Sequence, residues 1–108
     1  MRESVLPWQR VEVAGPSMVP TLRHGDVVLA RHGARVRPGD VVLARFPTLP
    51  GRLVVKRAVR PVEGGWWLAS DNAAAGSDSA TYGPGEVLAR VVLRLRPGRP
   101  RRLPGRRP

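Results

Sequence analysis

The chain has 108 residues, with 19 Lys and Arg against 8 Asp and Glu, a formal net charge of +11 at pH 7. That length suits one domain with a small core. The absence of cysteine excludes disulfide scaffolds, thiol nucleophiles and iron–sulfur sites, and two histidines, His24 and His32, without HExxH-like spacing offer no metal site.

No apolar run approaches the roughly 18 residues of a membrane-spanning helix, and the start, MRESVLPWQR, lacks a signal-peptide stretch. A cytoplasmic protein without cofactor is the expectation, at most peripheral at a membrane. Eighteen of the cations are arginines and Lys56 is the one lysine. A guanidinium stays protonated in proteins, whereas an ammonium can be desolvated until it loses its proton. Any basic nitrogen drawn from a cation must therefore come from Lys56, although the arginine bias of a GC-rich genome explains the imbalance equally well.

Twelve glycines and twelve prolines fall between short runs rich in Val and Leu, which points to an all-β domain of folded antiparallel sheets. In chain order the spacing predicts strands over Arg10–Ala14, Asp26–Arg31, Asp40–Phe46, Arg52–Val59, Gly65–Ala69 and Glu86–Leu95. Residues 1–10 form an N-terminal segment and 11–95 the folded unit. The heptad GDVVLAR at Gly25–Arg31 recurs unchanged at Gly39–Arg45. Two copies are too few for a solenoid, so both are read as strands of one sheet. The last stretch, Arg96–Pro108, holds six arginines, four prolines and one apolar side chain, Leu103. It cannot offset its ordering entropy and is expected to be disordered. Its arginines could contact an anionic membrane or nucleic acid, which leaves a non-catalytic basic β-module as the alternative to an enzyme.

Three stretches carry chemistry. In Val13–Leu22, VAGPSMVPTL, Gly15 and Pro16 set up a tight turn that presents Ser17. A nucleophilic serine needs such a turn, with an exposed Oγ beside amide donors able to hold an oxyanion, although most serines in Gly-Pro turns are turn residues only. Leu53–Val59, LVVKRAV, read as a strand, puts Val54, Lys56 and Ala58 on one face and Leu53, Val55, Arg57 and Val59 on the other. An apolar face lowers a lysine's pKa, as a general base requires, while the competing reading is a lysine snorkelling at a strand edge. His24 and His32 sit in turns and read as surface residues. In Ser70–Gly83, SDNAAAGSDSATYG, the aspartates and Asn72 are suited to organising the loop, and Asp78 could reach across to Arg57.

Together and in order, VAGPSMVPTLRHGD, RPGDVVLAR, LVVKRAV and SDNAAAGSDSATYG resemble the four motif boxes of the type I signal peptidase family of Ser/Lys proteases, over about Val13–Gly83. The resemblance implies that family's all-β catalytic core, with Ser17 as nucleophile and Lys56 as general base. Gly15, Arg57, Asp71, Asn72, Asp78 and Ser79 match its oxyanion and supporting positions. The sequence departs from the pattern in three places. Ala80 stands where an arginine is usual; Gly76 stands where a serine hydrogen-bonds the lysine, leaving Ser77 or Ser79 to supply that hydroxyl; and Gly15 stands where some members carry an oxyanion-hole hydroxyl. Without a membrane anchor the nearest branch is the short soluble one that matures nickel-type superoxide dismutase, which implies a leader-bearing precursor as partner. A repressor-type relative would need an N-terminal DNA-binding domain, for which the dozen residues before Val13 have no room.

Overall fold

Turn chemistry and β-branched runs organise the chain, and the computed structural model describes residues 7–103. The elements are β1 (Trp8–Glu12), β2 (Val27–His32), β3 (Val41–Arg45), β4 (Val54–Val62), β5 (Gly65–Ala69), α1 (Ser79–Tyr82), β6 (Glu86–Arg96) and β7 (Arg101–Arg102). All seven strands lie in one antiparallel sheet ordered β1-β2-β6-β3-β4-β5, with β7 pairing on β6.

The repeated heptads become β2 and β3, which flank β6. Each opens with the same turn: Asp26 Oδ2 accepts the Arg23 N–H at 2.9 Å, and Asp40 Oδ2 accepts the Arg37 N–H at 2.9 Å. Gly25 and Gly39 sit at φ +91° and +97°, a region that glycine enters without steric cost. Both turns also tie to a neighbouring stretch of chain alike. Val13 exchanges backbone bonds with Gly25 and Asp26, and Ala58 does so with Gly39 and Asp40.

The sheet is apolar on both sides. One cluster gathers Val13, Met18, Leu22, Val28, Ala30, Val41, Leu43, Ala89 and Val91, and the other gathers Val42, Ala44, Phe46, Ala58 and Leu68. Alternation along β3 sends Val41 and Leu43 to the first and Val42 and Ala44 to the second. In β4 the register breaks between Ala58 and Arg60, so that Val59 is an extra, exposed residue in a β-bulge.

The predicted strands are present, Gly65–Ala69 with both ends as expected and the other five with shifted ends. β1 begins at Trp8 because Trp8 and Gln9 pair with Arg31 and Ala30, and the Arg31 guanidinium stacks over the Trp8 ring at 5.1 Å. Part of the expected N-terminal segment thus joins the sheet, and residues 1–6 lie outside the described residues. At the other end, Arg101 and Arg102 pair with Arg94 and Leu93, and Leu103 packs on the first cluster. The expected disorder of Arg96–Pro108 therefore does not extend to these three residues. Residues 104–108 lie outside the described residues.

Candidate active site

Ser17 sits on a loop whose anchors are apolar. Met18 and Leu22 are fully buried, and each side chain of that size contributes about 1.5–3 kcal/mol when removed from water. The turn closes through Val19 N–H to Pro16 O and Leu22 N–H to Met18 O. Gly15, at φ +82°, donates its N–H to His24 Nδ1 at 2.9 Å. The Ser17 N–H has no partner among the described residues and is open to an incoming acceptor, whereas the Gly15 N–H is engaged. His24, expected to be a surface residue, is exposed and braces this turn.

Lys56 and Arg57 follow the predicted alternation. Lys56 pairs with Val42 in the register and shares its face with Val54 and Ala58, whereas Arg57 pairs with Val41 on the opposite side. Both are buried, at 4% and 5% exposure. Burial pushes the Lys56 ammonium below its ordinary pKa, and the Asp78 charge only partly opposes this. Among the described residues its hydrogen-bond partner is a neutral hydroxyl, Ser70 Oγ, at 3.0 Å.

The polar loop is where the structure corrects the sequence reading. Arg57 pairs with Asp71 and not with Asp78: Arg57 Nη2 lies 2.6 Å from Asp71 Oδ2, inside a network in which Thr21 Oγ1 donates to Asp71 and Arg57 Nη1 donates to Gly39 O. Asp78 instead caps α1, accepting from Ala80 N–H, and its other oxygen accepts from Ser70 N–H. Asn72 clamps the serine loop, its backbone N–H donating to Ser17 O and its side chain to Pro16 O. Ser79 is buried with its Oγ accepting from Leu68 N–H, and Ser77 is exposed, so neither supplies the hydroxyl on Lys56. That hydroxyl is Ser70, the first residue of the loop. Counting one step past Ala69, which pairs with Arg57, finds it.

Ser17 and Lys56 line one open cleft of about 430 Å³, with Val11, Val13, Leu43 and Val55 on its apolar walls. Gly76 lies between its sides, and a Cβ built there would come within 3.0 Å of Ser17 Cβ while overlapping Ser70. The β4 edge at Val54–Lys56 pairs with β3 on one side only, since β5 joins from Arg57 onward, so an extended peptide has unpaired backbone to meet. Among the described residues no cluster of three His, Asp or Glu could hold a metal, and no helix is long and apolar enough to cross a membrane.

Residues 9–92 match the profile of the Peptidase S24-like family. The mitochondrial ATP-independent inner membrane protease subunit 1a of Arabidopsis thaliana is 35% identical across 73% of this chain and 67% of its own length. Human mitochondrial inner membrane protease subunit 1 is 30% identical across 81% of this chain and 69% of its own, and the Schizosaccharomyces pombe subunit 1 is 35% identical across 78% and 71%. A match spanning most of the chain, over a fold with its serine and lysine stretches on one cleft, places this protein in the Peptidase S24-like family of serine-type peptidases.

Proposed function

We propose that the chain is a Ser/Lys endopeptidase that removes an N-terminal leader from a precursor protein. One observation carries this reading: the only lysine is buried, holds a neutral hydroxyl instead of a carboxylate, and lines the same cleft as Ser17. A structural lysine would be exposed or paired with an acid. The protease names of the relatives support peptide hydrolysis.

Neutral Lys56 takes the Ser17 proton as Oγ attacks the scissile carbonyl carbon. The Ser17 N–H holds the resulting oxyanion. Lys56 then returns the proton to the leaving nitrogen as the C–N bond breaks, leaving an ester on Ser17. A water, deprotonated by Lys56, attacks that ester and frees the serine. The substrate lies extended along the open edge of β4, with small apolar side chains against Val13, Leu43 and Val55.

The precursor we favour is that of nickel-type superoxide dismutase, processed in the cytoplasm, from the chain's resemblance to the short branch of the signal peptidase family; the four motif boxes support the chemistry alone. Incubation of the chain with that precursor, followed by N-terminal mapping, tests the assignment. A single new terminus at the leader boundary, absent with Ser17→Ala, is expected. Equal cleavage by Ser17→Ala would overturn the Ser/Lys reading, and an uncut precursor would overturn the substrate.

A further inference from the structure

Three contacts meet at Ser70. Its Oγ lies 3.0 Å from Lys56 Nζ, its N–H donates to Asp78 Oδ2 at 3.2 Å, and Gly76 packs against its side chain. The geometry of Gly76 adds the decisive constraint. Its backbone is not among those at positive φ, so glycine is not demanded there by conformation. Space demands it. A Cβ at position 76 would overlap Ser70 Oγ, lie 2.5 Å from Ser70 Cβ and come within 3.0 Å of Ser17 Cβ. Rotating the Ser70 hydroxyl away relieves only the first of these. The other two atoms are fixed by the backbones of β5's end and the nucleophile loop, which Asp78 and Asn72 hold.

We propose that Ser70 is the positioning residue that aims Lys56 at Ser17, and that position 76 is glycine because Ser70 fills the volume its side chain would need. The hydroxyl on Lys56 can then be moved between positions 70 and 76 only as a pair. With glycine at 70, both Ser70 contacts vanish, a Cβ at 76 overlaps only the volume the Ser70 hydroxyl now fills and keeps the 3.0 Å approach to Ser17 Cβ, and its own Oγ, one bond further, can turn toward the amine by a χ1 rotation. This rests on the Ser17/Lys56 reading above and gives a role at that site to a residue for which the motif resemblance names none.

The test compares Ser70→Gly, Gly76→Ser and the double variant with the parent by two readouts. One is kcat/KM on the nickel-type superoxide dismutase precursor. The other needs no substrate: with a single lysine in the chain, selective 13Cε-lysine labelling gives one resonance whose pH titration reports Lys56 alone. Ser70→Gly is expected to lower kcat/KM roughly 10- to 100-fold through kcat, the scale of a misaimed catalytic group, and to displace the lysine titration. Gly76→Ser alone is expected to lower both rate and thermal stability. The double variant recovers most of the rate and the parent's titration, which a merely structural role for Ser70 would not produce. A parent-like rate and titration in Ser70→Gly, or a double variant no better than the worse single one, overturns the proposal. Cleavage by Ser17→Ala removes the Ser/Lys reading without touching the titration result, and an uncut precursor leaves the titration to decide.

Discussion

Lys56 and Arg57 are consecutive in β4 and buried to the same degree, yet the two faces of the sheet treat their cations in opposite ways. On Arg57's face a carboxylate, a hydroxyl and a carbonyl converge, and the ion pair with Asp71 ties together the serine loop, the β3 turn and the polar loop. On Lys56's face the nearest partner is neutral, and the closest acid, Asp78, has its oxygens engaged by backbone N–H groups. One cation is held permanently charged and serves architecture. The other is held where losing a proton is easier, as the proposed general base requires. The difference lies in what stands opposite each residue, since depth is the same for both.

The sharpest way to break this contrast is Lys56→Arg, which keeps charge and bulk but removes the titratable base. Cleavage is expected to fall at least about 10³-fold, and an active arginine variant would refute the assignment. On the other face, Asp71→Asn strands a guanidinium whose side chain is 6% exposed, and such a broken buried pair costs about 3–5 kcal/mol. Urea denaturation reads this loss directly.

The pH dependence separates the two faces more finely. The folded Lys56 has its pKa below the ordinary 10.5 that the unfolded chain retains, so between those values the unfolded state binds more protons. Stability should therefore rise with pH across that window, and cleavage should rise along a limb lying below 10.5. Lys56→Met is expected to flatten the stability rise. The smallest effect belongs to the tail. Deleting residues 97–108 removes β7 and the Leu103 contact, at about 1 kcal/mol for a half-buried leucine, and leaves cleavage within a few-fold of the parent. If the tail instead carries the function by binding anionic surfaces or RNA, that binding disappears with it.

Much of this was legible from residue order because glycine and proline punctuate the chain where strands end. Gly65–Ala69 has both ends as the spacing predicts, and alternation alone put Lys56 and Arg57 on opposite faces. What alternation cannot supply is partnership. Asp71 and Asp78 sit in one polar loop, and choosing between them for Arg57 requires the loop's path, which Asn72 turns back onto Pro16 and Ser17. Asp78 did carry a signal of its own as an N-cap, but α1 has four residues, too few for helical periodicity to announce it. Ser70 read as the start of a loop because the strand register placing it beside Lys56 is a long-range property. Leu103 was invisible for a similar reason: one apolar residue among arginines has no period, and only the β6 edge gives it a place.

The bulge at Val59 acts as the selector between the two cations. From the β4–β5 hairpin end, Val62 faces Gly65, Pro61 faces Trp66 and Arg60 faces Trp67; the extra residue then advances the count so that Ala58 meets Leu68 and Arg57 meets Ala69. One step on, Lys56 meets Ser70. Had the ladder run unbroken, Arg57 would stand opposite Ser70 and Lys56 opposite Asp71. The carboxylate would then hold the lysine protonated, and the buried arginine would be left with a hydroxyl. A single inserted residue, itself exposed, thus sets the phase that gives one of two adjacent cations a carboxylate and the other, our proposed base, a neutral hydroxyl.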